Sequence, residues 1–185
     1  MSLVELIAQA DERGLAASGL ACLDRCVPLL GGDDEALRPL WGNLAVGADP
    51  AAWGELVEQI RGKLGEGPEE PGDEAAQLAR RMLQAVPAER SGGELRTWAD
   101  ACSVAALQIH RLLDPSDDPD PVDARRAGRT DGMPPLAAAE LRRQLTVLEV
   151  LAEHGPGGLR RALDVSTEGR RVLRAVVSRR ARAVG

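Results

Sequence analysis

Residues 93–113 read GELRTWADACSVAALQIHRLL and residues 134–153 read PPLAAAELRRQLTVLEVLAE. In the first stretch Leu95, Trp98, Cys102, Ala105, Ala106, Ile109 and Leu113 recur at steps of three and four, which lines one face of an α-helix. In the second, Pro134-Pro135 opens a helix whose seam is Leu141, Leu145, Leu148 and Leu151 or Ala152. Two long helices, each with one apolar stripe, point to an all-α fold with this pair at its centre.

Composition agrees. The 185 residues include 29 Ala and 26 Leu, no Phe and no Tyr, and the aromatic carbocycles are Trp41, Trp53 and Trp98. Ala and Leu favour helix, while the β-branched and aromatic residues that favour strands are scarce. The core therefore has to be aliphatic, and we expect Trp98, with at least one of Trp41 and Trp53, to help close it. Arg outnumbers Lys 22 to 1, with Lys63 the single lysine, a bias that fits a GC-rich bacterial genome.

Outward from the central pair, Ser2 and Glu5 make a capping box ahead of a short helix ending near Gly14. A second helical run spans about 15–27 and stops at Pro28. Gly31-Gly32 breaks the chain before a helix from the Asp33-Asp34-Glu35 acids to about Ala45. Asp49-Pro50 restarts a helix along Trp53, Leu56, Val57, Ile60 and Leu64. GEGPEEPGDE (65–74) reads as an acidic linker, and a helix over about 73–85 follows. Residues 114–135 hold five prolines and few hydrophobics, and read as a long, mobile Asp/Pro-rich loop. After Gly155-Pro156-Gly157-Gly158 comes a last helical stretch, broken near Val165-Ser166. The expectation is one domain of seven or eight helices over 1–185: an acidic part (1–113), the loop (114–135) and basic C-terminal helices (136–185).

Charge is unevenly placed. Residues 1–123 carry 23 acids and 10 bases, and residues 124–185 carry 6 acids and 13 bases, which together give the net −6. The two parts are expected to pack with complementary fields. The start, MSLVELIAQADERG, has no cationic n-region and is no signal peptide, and no stretch has the roughly 18 apolar residues of a membrane span. An odd number of cysteines gives no disulfide framework. A cytoplasmic protein is the expectation.

Function classes narrow by elimination. Without Phe or Tyr there are no interleaved rings to stack bases, and no phenol to donate a proton. Cys22, Cys26, Cys102 and His110 lack the short CxxC spacing of a zinc site and read as core residues, so neither metal nor cofactor is expected. DDPD (117–120) is similar to the Asp-rich diphosphate motif of isoprenoid enzymes, whose aromatic pockets have no counterpart here. Gly155–Gly158 ahead of Arg160 and Arg161 lacks the strand and the lysine of a P-loop. His110 and His154 belong to no catalytic motif, and no catalytic residue is assigned.

The positive feature is the set Arg160, Arg161, Arg170, Arg171, Arg174, Arg179, Arg180 and Arg182. These are the candidate binding residues, for an acidic protein partner ahead of nucleic acid, which the acidic chain disfavours. The reading is a non-enzymatic helical protein-interaction module (adaptor, regulator or scaffold) that binds a protein partner or a second copy of itself. The alternatives are a small-molecule-binding protein or unfamiliar enzyme with a pocket at His110 and Cys102, and a nucleic-acid-binding regulator using the Arg-rich C-terminal helix.

Overall fold

The helix Glu12–Arg25 is small or apolar nearly all round, LAASGLACL over 15–23, and every residue from Gly14 to Arg25 is buried. A helix without a polar face has to be enclosed. In the computed structural model, which describes residues 1–64 and 73–184, this helix is the hub. Its neighbours are Gly92–Leu113, Pro135–His154 and Leu159–Val184.

In chain order the α-helices are α1 (Leu3–Gln9), α2 (Glu12–Arg25), α3 (Arg38–Asn43), α4 (Trp53–Leu64), α5 (Glu74–Gln84), α6 (Gly92–Leu113), α7 (Val122–Arg126), α8 (Pro135–His154) and α9 (Leu159–Val184). Among the described residues there are thus eight helices of six residues or more, the single-turn α7, and no strand. Single 3-10 turns at Val27–Leu29, Pro50–Ala52 and Gly155–Gly158 join neighbours. α5 lies on α6, α1 lies on α8 and α6, and α8 packs against both α6 and α9. The all-α reading and its helix number stand. The two long helices flank the centre, and α2 occupies it.

Small residues on α2 set how closely its neighbours approach. A Cβ at Gly19 would sit 2.4 Å from the Trp98 ring of α6, so the ring lies directly on the α2 backbone. All three tryptophans are buried, and each indole N–H has an acceptor: Asp24 Oδ2 for Trp41 (3.0 Å), the Pro87 carbonyl for Trp53 (2.8 Å) and the Met82 carbonyl for Trp98 (3.0 Å). An enclosed indole needs such a partner, because a buried unpaired N–H costs about 1–3 kcal/mol.

Three readings of the sequence need correction. α9 runs unbroken through Val165-Ser166, since both are buried in the core and the Ser166 and Thr167 hydroxyls are satisfied by the Ala162 and Leu163 carbonyls of the helix itself. The helix expected from Asp33 is confined to Arg38–Asn43, since the Asp33 carboxylate accepts from the Glu35 N–H and holds a turn there. The α8 seam contains Glu140 and Gln144, while Leu145 is half-buried. The 114–135 stretch contains α7 and is organised around Arg125. That buried guanidinium donates to Asp118 through Nε and Nη2 and to the Arg129 and Asp131 carbonyls through Nη1. The linker reading over 65–74 falls mostly at 65–72, outside the described residues.

Gly19→Ala should therefore lower stability by about 1–3 kcal/mol, as overpacking does. Gly62→Ala, exposed in the last turn of α4 with nothing within 4 Å among the described residues, should gain up to roughly 0.5–1 kcal/mol. Urea denaturation of the two variants checks the contrast, and equal effects would contradict the Trp98 contact.

Candidate functional site

Glu140 on α8 and Arg25 on α2 meet where no solvent reaches. Arg25 Nε and Nη2 donate to the two Glu140 oxygens at 2.8 and 2.7 Å, and both side chains have zero exposure. Gln144, one turn along α8, donates to Glu140 Oε1 at 3.0 Å and accepts from the Ser103 hydroxyl of α6 at 2.6 Å. Ser103 Oγ in turn accepts from Arg126 Nε of α7 (3.0 Å), and Arg126 also pairs with Asp100 near the surface. One hydrogen-bonded chain thus ties α2, α8, α6 and α7 together.

Burial alone would push the Glu140 carboxyl up, but the Arg25 guanidinium outweighs it and holds the group down to about 2. His110 of α6 faces the same carboxylate. Its Nδ1 is 2.7 Å from the Ala106 carbonyl, so this nitrogen carries the proton and donates it. Nε2 then has no hydrogen-bond partner and stands 3.6 Å from Glu140 Oε2. Burial lowers the His110 pKa, with Glu140 pulling upward and Arg25 and Arg143 pushing further down. The imidazole is therefore neutral near pH 7, and its approach to Glu140 is not an ion pair.

A second ionic group closes α2 against α9. Asp24, adjacent to Arg25, pairs with Arg170, and Arg174 pairs with Asp34. Burial raises the Asp24 carboxyl, against the pull of Arg170 and the Trp41 N–H.

The sequence-derived candidates are dispersed. Arg170 is buried on Asp24, so it is withdrawn from any exposed binding face, and Arg174 is half-exposed on Asp34. Arg160, Arg161, Arg171, Arg179, Arg180 and Arg182 are exposed. His110 and Cys102 are both buried, but His110 belongs to the Glu140 network whereas Cys102 lines a different groove. Cys22, Cys26 and Cys102 are free, and burial pushes their thiols up, Cys22 to about 12. Among the described residues no group of three or more His, Cys, Asp or Glu is arranged to hold a metal ion. Nor is any helix there long and apolar enough to cross a membrane.

Two of the surface grooves combine an apolar floor with a volume of about 370 Å3 or more. One of about 370 Å3 lies between α5 and α6 over Leu78, Met82, Trp98, Cys102, Val104 and Ala105. The other, of about 510 Å3, lies between the C-terminal end of α6, the start of α8 and the last turns of α9. Both were missed in the sequence, although the uncharged run ACSVAALQIH (101–110) hints at the first. No family model, no curated protein and no solved structure matches the chain.

The buried centre makes two measurable demands. Glu140→Gln leaves Arg25 enclosed and without its counter-charge, which should cost about 3–5 kcal/mol in chemical denaturation. For pH, the unfolded chain takes up a proton at His110 near 6.5 while the folded one resists. The stability that His110 contributes is thus complete above 6.5 and is lost as the pH falls below it. Glu140 adds a second loss as the pH falls from 4.5 toward about 2. His110→Gln should flatten the upper step, measured as the urea midpoint between about pH 7.5 and pH 5; an unchanged slope would contradict a neutral buried His110.

Proposed function

We propose that the protein is a non-enzymatic helical interaction module that works as a homodimer, paired through the face formed by α5 and α6. Glu140 and His110 meet in the enclosed centre, where Glu140 is held by Arg25 and His110 by the Ala106 carbonyl, which supports a structural role for them. The observation that carries the dimer reading is the α5–α6 groove itself. It is lined by Leu78, Met82, Val104 and Ala105 with Arg81 and Gln108 at its edges, and among the described residues no carboxylate lines it.

That absence of acid matters because the groove lies in the part of the chain with 23 acids against 10 bases. Two copies of an acidic chain meet with least repulsion where the local surface carries no negative charge. Ala101 and Gln108 are exposed, and Val104 and Ala105 are half-exposed, along one side of α6. An antiparallel pairing of α6 with its copy sets these residues against themselves about a two-fold axis between Val104 and Ala105, and opposes the two helix dipoles. An apolar small molecule in the same groove is the second reading, favoured by its volume of about 370 Å3, which is in the range of ligand pockets.

Sedimentation equilibrium should return twice the 19.6 kDa chain mass, and Ala105→Glu should return the monomer with unchanged circular dichroism. Ala105→Cys should cross-link to its own copy under mild oxidation, since the native thiols are buried. A monomeric wild type, or a dimer indifferent to Ala105→Glu, overturns the pairing.

A further inference from the structure

We infer that the groove at the end of α9 is a second docking site, separate from the α5–α6 face, and that it takes an acidic amphipathic helical segment of a partner protein. Its floor is Leu112 and Leu113 of α6, Leu136 of α8 and Val176 of α9, and its rim carries Arg179 and Arg180. Leu112 is 41% exposed, unusual for a leucine set beside core residues such as Leu113. Apolar floor and cationic rim lie side by side, so the occupant needs an apolar stripe flanked by negative charge.

The rim arginines are available because the nearby acid is not. Asp114 also lines the groove, but its carboxylate accepts from the Ser116 N–H at 3.0 Å and from the Leu136 N–H at 2.9 Å. Those two bonds fix the turn from α6 into the loop and the first turn of α8. Arg174 and Arg170, about one and a half and two and a half turns before Arg179 on α9, are paired with Asp34 and Asp24. Arg179 donates through Nε to the Ala175 carbonyl of its own helix, and neither Arg179 nor Arg180 has an ion-pair partner among the described residues. Arg182 extends the same positive end by a further turn.

The apolar floor separates a protein segment from nucleic acid. Phosphate contacts would use the arginines and leave four aliphatic side chains facing water or sugar, and the groove has no ring on which a base could stack. A helix with Leu at i, i+3, i+4 and i+7 and Glu between them uses both parts at once.

The test titrates the full-length protein against a fluorescein-labelled peptide of that pattern and reads polarisation. The wild type should bind it, and both Arg179→Glu/Arg180→Glu and Leu112→Asp should weaken binding by about tenfold or more with unchanged circular dichroism. A peptide with Lys in place of Glu, or with Ala in place of Leu, should bind correspondingly less. No binding by the wild type overturns the proposal. So does equal binding by the arginine double variant, a Leu-free acidic peptide that binds as tightly, or a DNA duplex that binds as tightly. Arg179→Glu/Arg180→Glu should leave the sedimentation mass unchanged, which keeps this site's failure distinct from that of the α5–α6 pairing.

Discussion

The enclosed Arg25–Glu140 pair is the constraint on which the arrangement of helices depends. Two charges without solvent are costly, and their attraction offsets that cost only when the geometry is good and the remaining polar atoms are bonded. Both Arg25–Glu140 contacts are short, and Gln144, Ser103 and Arg126 extend the bonding outward from Glu140, while Arg25 Nη1 is left without a hydrogen-bond partner among the described residues. An aliphatic core of Leu and Ala tolerates sliding and rotation, because one Leu contact resembles the next. The ion pair does not. Moving α8 by one turn along α2 would separate Glu140 from Arg25 and leave a bare charge on each side. Its chief effect is therefore on register. The α9 helix is held to the same spot sterically, since a Cβ at Gly169 would fall 2.3 Å from Arg25 Cδ and 2.9 Å from Arg143 Cδ.

Asp24 and Arg25 are consecutive and point to different neighbours. Arg25 reaches α8 through Glu140, and Asp24 reaches α9 through Arg170 while also accepting from Trp41. A dipeptide at the end of α2 thus orients two long helices and the short α3. This is also how the unequal charge of the chain is used. The acidic N-terminal part and the basic C-terminal part meet at the buried Asp24–Arg170 pair and at the half-exposed Asp34–Arg174 pair. The arginines of α9 consequently fall into two groups. Arg170 and Arg174 are counter-ions to Asp24 and Asp34, whereas Arg160, Arg161, Arg171 and those beyond Val176 face outward.

Much of the fold was legible because aliphatic periodicity in a helix reports burial directly. The stripe from Leu95 to Leu113, the leucines of α8, the Ser2 and Glu5 cap and the enclosure of Trp98 all follow from that one rule. The buried centre was not legible, because Glu140 and Gln144 are polar residues at core positions. They fall in step with Ala137, Leu141, Leu148 and Leu151, and reading only apolar residues assigns them to solvent. The signal that could have found them is a carboxylate and an amide, four apart, inside an aliphatic stripe. For α2 the clue was the absence of a polar face rather than the presence of an apolar one. In the loop, Pro and Asp content marked the irregular stretch but not its inner bonding, in which Arg125 supplies a cation around which Asp118 and two carbonyls close.

The missing Phe and Tyr bear on the surface as much as on the core. Protein interfaces commonly rely on Trp, Tyr and Arg for their strongest contacts. Here all three tryptophans are buried, with their N–H groups bonded inside the fold, so no aromatic anchor is left for a partner. What the exposed surface retains is aliphatic side chains and arginine. Aliphatic side chains bring area without directional bonds, so a mainly apolar face such as that between α5 and α6, edged by Arg81 and Gln108, has to discriminate chiefly by shape. Arginine supplies direction and the sign of the partner. A groove that joins Leu112, Leu136 and Val176 to Arg179 and Arg180 combines both kinds of selectivity. In a chain without exposed aromatic rings, that combination is the most discriminating contact its composition allows.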